Sequence, residues 1–445
     1  MSYIERVIEQ TKLKDKDQTV FIQAVEEVLH SIAPIFEKHP EYEKMAVLER
    51  LIEPERVISF RVPWTDDHGQ VHVNRGYRVQ YNGVLGPYKG GIRFHPSVNL
   101  SIMKFLGFEQ CFKNALTTLP IGGAKGGSDF DPKGKSEGEI LRFCQSFMTE
   151  LYRHIGENVD VPAGDMGVGA REIGYLYGQY RRIVGASERG VLTGKGVVYG
   201  GSLVRKQATG YGLVYFLEEM LKANHIDPTG YSVIVSGSGN VAIYAAEKCF
   251  AKGMKVIAMS DSKGYIVDEN LDLEVVKHIK EVERTSLEKY VEYAGHGEYY
   301  TGSVYDGEVC AKIVLPCATQ NEINLERAQR LIDRGVVAIA EGANMPNSNE
   351  AIALYLENHI LYAPGKAANA GGVATSALEM TQNSMRLAWS AEEVDSKLQD
   401  IMKAIHAQCL QAMREYDLPS YNYVAGANLA GASKVIEAMV LQGEY

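Results

Sequence analysis

The rhythm of apolar and polar positions changes near residue 200. Upstream, Phe21, Val25, Val28 and Leu29 recur at the spacing of one helical face, which predicts that the first forty-odd residues are helical. Residues 56–80 instead alternate, in the runs 57–62, 71–73 and 77–80, and predict strands joined by a turn at Asp66-Asp67-His68-Gly69. A helix is expected from about Leu100 with Asn99 as its cap, and another over roughly 137–154, leading into a loop at 161–169. Downstream, short β-rich runs at 232–235, 255–259, 312–316, 336–340 and 360–363 alternate with helix-length segments. That alternation predicts a parallel, doubly wound sheet. Gly194-Lys195-Gly196 and Gly200-Gly201 mark the expected boundary, and a terminal helix over 432–441 is expected to return to the first domain.

With 445 residues the chain exceeds one ordinary core, so two domains of roughly 100–200 residues or more are expected. Hydrophobic residues at 45% and charged ones at 23% place it among globular chains. A formal net charge of −10 argues against nucleic acid as a partner and makes any local cluster of lysines more informative. No apolar run is read as approaching the roughly 18 residues of a membrane span, and the N-terminus lacks a secretory pattern. The six cysteines form no Cys-x-x-Cys pair and read as reduced core thiols of a cytoplasmic protein. The eleven histidines show no metal-ligand spacing, so no metal is expected.

Three lysines stand out against this acidic background. Lys89 lies in Gly-Pro-Tyr-Lys-Gly-Gly, Lys113 follows Gln110 by three residues on one helix face, and Lys125 is flanked by two glycines on each side. A merely solvated lysine needs no such glycine-rich loop, which frees the backbone and admits a ligand. Three ammonium groups converging on one cleft would repel each other, favouring a neutral amine near neutral pH, and would hold a substrate with two carboxylates.

Strand 231–235 runs directly into Gly237-Ser238-Gly239-Asn240-Val241-Ala242, and a helix is expected to begin there. This is the dinucleotide fingerprint in its required context: Gly237 for the turn, Gly239 for approach of the pyrophosphate, Ala242 for close helix packing. At the end of the next strand stand Asp261, Ser262 and Lys263. The aspartate suits the ribose hydroxyls of NAD, whereas the serine and lysine suit the 2′-phosphate of NADP. From the residues alone both coenzymes remain open.

The blocks 86–94, 122–127, 162–169, 205–212, 315–321 and 363–375 resemble glutamate dehydrogenases of the homohexameric kind, and the likeness runs from about Pro40 to the C-terminus. The resemblance implies an α/β chain of two domains. Residues 1–200, with 425–445 returning to them, would form the substrate and oligomerisation domain. Residues 201–424 would form a Rossmann-like dinucleotide-binding domain. It implies reversible oxidative deamination of L-glutamate to 2-oxoglutarate and ammonium, with Lys125 activating water and Asp165 shuttling protons. Lys113 and Gln110 match positions on the α-carboxylate side, and Lys89 and Ser376 match those at the distal carboxylate. Gly164, Asn344 and Asn369 match the remaining substrate and nicotinamide pocket, and Thr209 and Asn240 match coenzyme contacts. The Ser-Asp-Ser-Lys-Gly run at 260–264 looks more like that of NADP-using members, so NADP is favoured with NAD as the alternative. One departure stands out: Lys206-Gln207 follow Arg205 where members commonly carry Pro-Glu. Relatives acting on leucine, valine or phenylalanine are disfavoured, because a lysine beside an apolar substrate would be a buried unpaired charge. An inactive nucleotide sensor would have no need of Lys125, Asp165, Lys113 and Lys89 together.

Overall fold

Alternation in the first strands gives one face to a core and one to water, and antiparallel pairing follows. In the computed structural model, which describes residues 1–443, β1 (Arg56–Thr65) and β2 (Val71–Asn82) pair antiparallel around the expected turn. Three further strands, β3 (Tyr88–Phe94), β4 (Gly123–Ser128) and β5 (Asp160–Gly164), complete a sheet of order β1-β2-β4-β3-β5. β4 and β5 both run parallel to β3. The sequence pattern placed the glycine-flanked Lys125 and the 161–169 segment in loops. Instead β4 is buried along its whole length. Its glycines permit close packing rather than unusual torsions: a Cβ on Gly123 would strike Cys111, and one on Gly127 would lie 2.4 Å from the Arg93 carbonyl.

Helix Leu100–Leu116 begins where Asn99 accepts from the Ile102 amide, and it packs on β4. Helix Glu137–Leu151 opens with a capping box, Ser136 and Glu139 each satisfying the other's backbone amide. Its apolar face joins a core rich in phenylalanine: Phe94, Phe130, Phe143 and Phe147. Inside the same unit lies a wholly buried ion pair. Arg78 donates from Nε to Asp160 at 2.8 Å and from Nη2 to its other oxygen, and from Nη1 to the Gly90 carbonyl.

The described residues form two compact units, the first comprising residues 1–203, 373–394 and 428–443, the second 204–372 and 395–427. Residues 373–394 thus fold with the first unit, although the sequence pattern assigned them to the second domain. The physical reason is polar: Glu379 pairs with the buried Lys195, Gln382 reaches Ser202, and Asn383 reaches the Gly200 carbonyl.

The second unit is built on a seven-stranded sheet, β12-β11-β10-β6-β7-β8-β9. β6 (Ser232–Ser236), β7 (Lys255–Ser260), β10 (Ile313–Pro316), β11 (Ala338–Ala340) and β12 (Leu361–Ala363) are parallel. β8 (Gly264–Val267) and β9 (Glu298–Thr301) extend the sheet antiparallel, which the sequence pattern did not anticipate. The last helix is longer than expected, Tyr423–Leu441. By length and composition it could cross a membrane, contrary to the sequence reading. In the fold it buries Tyr423, Leu429, Ala432, Val435, Ile436 and Met439 against protein. All six cysteines are unpaired, and Cys310 is exposed rather than a core thiol.

Candidate active site

β3, β4 and β5 are neighbours, so side chains on them can converge. In the register Ile92 lies beside Gly126 on β4 and Gly164 on β5, which brings Lys125 and Asp165 to either side of β3. The Lys125 Nζ donates to the Asp165 carboxylate at 2.8 Å, and the Arg93 Nε donates to the same oxygen at 3.0 Å. Gly91 makes the room: a Cβ there would lie 2.8 Å from the Asp165 Cβ and 3.3 Å from the Lys125 Nζ. Burial acts to raise the Asp165 carboxyl, but the Lys125 and Arg93 charges outweigh it and hold it at about 2. The expected convergence of ammonium groups therefore meets a carboxylate at Lys125. Arg93 was not singled out in the sequence, though it sits two residues beyond Gly91 on the same strand face as Lys89.

Lys89, on β3, is 1% exposed, and its Nζ donates to the Thr193 hydroxyl at 2.8 Å. Thr193 was also missed. Its loop is pinned by the Pro162 carbonyl, which accepts from the Thr193 amide, and by Glu379, which accepts from the Gly194 amide at 3.0 Å and from the Lys195 Nζ at 2.8 Å. Ser376, one turn before Glu379 on helix Gly371–Met385, is buried. Gln110 and Lys113 lie on helix Leu100–Leu116, whose Gly107 faces the Lys125 Cβ. The Gln110 amide donates to Asn114 at 2.7 Å, and Asn114 in turn holds the carbonyls of Lys89 and Gly122. Gly164 ends β5, where a Cβ would lie 2.5 Å from the Val168 carbonyl.

In the second unit, β6 leads into a turn in which Gly237 takes a φ of +85° and donates to the Ser260 hydroxyl. Helix Asn240–Ala251 follows with no side-chain cap, so its first amides are left for a ligand. Ser238 is buried, while Gly239 and Asn240 are exposed and Val241 is half-buried. A Cβ on Gly239 would meet no atom within 4 Å, so the space above the loop is open. An anionic dinucleotide fits these residues. A cleft of about 240 Å³ borders them, lined also by Lys206, Lys280, Glu281 and Arg284.

Asp261 does not offer its carboxylate there. It accepts from the amides of Lys263, Gly264 and Leu287, and Lys280 lies 3.5 Å away. Asp261, expected at a ribose, is turned inward in this structure, whereas Ser262 and Lys263 are exposed. Asn369 donates to Asn344 at 2.9 Å and to the Gly342 and Ala343 carbonyls. Thr209, on helix Ala208–Ala223, packs beside Gly372.

Two family models match the chain: the Glu/Leu/Phe/Val dehydrogenase dimerisation domain over residues 54–182, and Glutamate/Leucine/Phenylalanine/Valine dehydrogenase over residues 200–443. The chain is 56% identical to an NADP-specific glutamate dehydrogenase of Salmonella typhimurium, covering 99% of this chain and 98% of that one. It is 54% identical to an NAD-specific glutamate dehydrogenase of Clostridium symbiosum, covering 99% of each. The solved glutamate dehydrogenase of Plasmodium falciparum superposes with a TM-score of 0.96 at 50% identity, covering 100% of this chain and 95% of that one.

Proposed function

The chain belongs to the Glu/Leu/Phe/Val dehydrogenase family, and we propose that Lys125 and Asp165 carry its chemistry on glutamate. Its activity is that of a glutamate dehydrogenase, the reversible oxidative deamination of L-glutamate to 2-oxoglutarate and ammonium. The coenzyme is NADP, with NAD the alternative, since relatives of both kinds share more than half its residues. The observation that carries the residue assignment is the 2.8 Å contact between Lys125 on β4 and Asp165 just past β5, the strands on either side of the one that carries Lys89.

When bound, the nicotinamide accepts hydride from the glutamate Cα, or returns it in the reductive direction. The protein's residues do the rest. Asp165 enters as a carboxylate and takes a proton from the substrate nitrogen. Once Asp165 has released that proton to solvent, it can accept one across the contact from Lys125, which leaves an amine able to take a proton from the attacking water. Recharged, the same ammonium stabilises the developing carbinolamine oxygen. Lys89, with Thr193 and Ser376, would hold the distal carboxylate, and Lys113 with Gln110 the α-carboxylate. Gly164 in the first unit, and Asn344 and Asn369 in the second, would supply the remaining substrate and nicotinamide contacts. The dinucleotide would rest on Gly237, Ser238, Gly239, Asn240 and Val241, with Thr209, Ser262 and Lys263 beside it. The inward turn of Asp261 supports NADP, because a free carboxylate there would repel a 2′-phosphate.

The chain assembles into oligomers through its dimerisation domain. A homohexamer in the cytoplasm is the finer reading, the latter supported by the six unpaired cysteines.

The test is oxidation of NADPH, followed by its near-ultraviolet absorbance, with 2-oxoglutarate and ammonium. Rapid loss with NADPH and slower loss with NADH is expected. Faster loss with NADH would overturn the coenzyme preference, and no loss with either would overturn the activity.

A further inference from the structure

We propose that Lys206 sets the preference for a 2′-phosphorylated coenzyme by covering the Glu281 carboxylate at the mouth of the dinucleotide cleft. The inference rests on residues 237–242 forming the dinucleotide site and adds a discriminating residue that the sequence showed only as a departure.

Glu281 is the one carboxylate among the residues lining the cleft beside Ser238, Gly239 and Asn240. Its companions there, Lys280 and Arg284, are cations. Lys280 also lies 3.5 Å from Asp261, at the end of β7, so this corner of the cleft is the one where an adenosine ribose is expected. With Asp261 bound up by three backbone amides, Glu281 is the acid left to act on a phosphate here. Lys206 meets it: Nζ donates to Glu281 at 2.8 Å. The same ammonium lies 5.3 Å from the centre of the Tyr244 ring, and the Tyr244 hydroxyl donates to Glu281 at 3.4 Å. Lysine, carboxylate and tyrosine thus form one cluster beside the helix N-terminus.

The charge consequence is direct. With Lys206 in place Glu281 is neutralised, Lys280 is balanced in part by Asp261, and Arg284 adds a further cation to the cleft. Without it, the carboxylate offsets one of those cations. A 2′-phosphate carries about −1.5 to −2 charges, so a ligand bearing it feels the change most. Both partners are partly exposed, Lys206 by 48% and Glu281 by 31%, so solvent screens the effect and it is one of selectivity, not of folding.

The experiment measures dissociation constants by calorimetry for 2′,5′-ADP and for 5′-AMP, which differ only by the 2′-phosphate. Lys206→Ala should weaken 2′,5′-ADP about three- to tenfold while leaving 5′-AMP within about twofold. Adding Glu281→Gln to Lys206→Ala should restore most of the loss, because the exposed carboxylate is then gone. Equal weakening of both ligands, or no rescue in the double variant, overturns the proposal. NADPH and NADH fluorescence titrations should follow the same order. A wild-type protein that binds neither nucleotide overturns the dinucleotide reading itself, a result distinct from unaltered discrimination in a protein that binds both.

Discussion

The two units handle charge in opposite ways. In the first, Arg78 with Asp160 and Lys195 with Glu379 are taken fully out of water, and Lys125 and Arg93 are locked to a partly exposed Asp165. In the second, the dinucleotide loop carries no charged side chain at all, and an anion would be met by backbone amides and by half-exposed lysines across a cleft. The difference follows from the tasks. Proton transfer needs groups fixed in a dry pocket, whereas recognition of a phosphate needs amides at a helix start and a few screened charges. One region should tolerate substitution poorly and the other should be tunable.

The sharpest break in that contrast is Lys125→Ala. Turnover should fall by about 10²- to 10⁴-fold, with NADPH affinity by fluorescence titration unchanged. Near-normal turnover would remove Lys125 from the chemistry. Next is Arg78→Leu, which strands the Asp160 carboxylate in the core and should cost about 3–5 kcal/mol in denaturant unfolding. A loss no larger than that of an exposed pair, about 0–1 kcal/mol, would erase the distinction between the units.

Asp165 sharpens it through pH. Its folded pKa of about 2 lies below the unfolded value of about 3.9, so its stabilisation is present above that value and is lost as pH falls through the folded one. The stability advantage of wild type over Asp165→Asn, about 2 kcal/mol at neutral pH, should shrink between about pH 4 and about pH 2. A gap independent of pH in that range would contradict the ion pair. The smallest expected effect on the fold is that of Gly239→Ala, whose new Cβ meets nothing. Its melting temperature should stay within about 2 °C of wild type while dinucleotide affinity drops. The same substitution at Gly90 would put a Cβ 1.7 Å from the Ala124 carbonyl, and should prevent folding.

How much of this was legible depended on whether local pattern or tertiary packing decides an element. β1, β2 and the turn between them follow from alternation, and the helix starts at Asn99 and Ser136 from side chains that cap them. The parallel core of the second unit follows from buried apolar runs. β3, β4 and β5 were less legible, because glycine and lysine give no period-two signal and only close packing on Cys111 and Arg93 reveals the need for glycine. β8 and β9 are four residues each, too short for their alternation to register. In the site, Lys125 stood out by its glycine surroundings, whereas Asp165 came only from the family resemblance. Thr193 and Arg93 matter through a hydroxyl and a guanidinium placed by the fold, and nothing in their flanking residues announces that. Asp261 illustrates the converse: position suggested a ribose contact, but three nearby amides claimed its oxygens first.

The Lys195–Glu379 pair joins positions separated by 184 residues. A nascent chain can hold Thr193 on the Pro162 carbonyl, but cannot complete the anchoring of this loop, which carries the partner of Lys89, until helix Gly371–Met385 has left the ribosome. While those 184 residues are made, Lys195 must wait without Glu379 in an unfinished first unit as the intervening sheet forms. The order of translation thus makes the substrate end of this enzyme one of the last parts to become competent, and a chain cut short anywhere before residue 379 would lack that anchor.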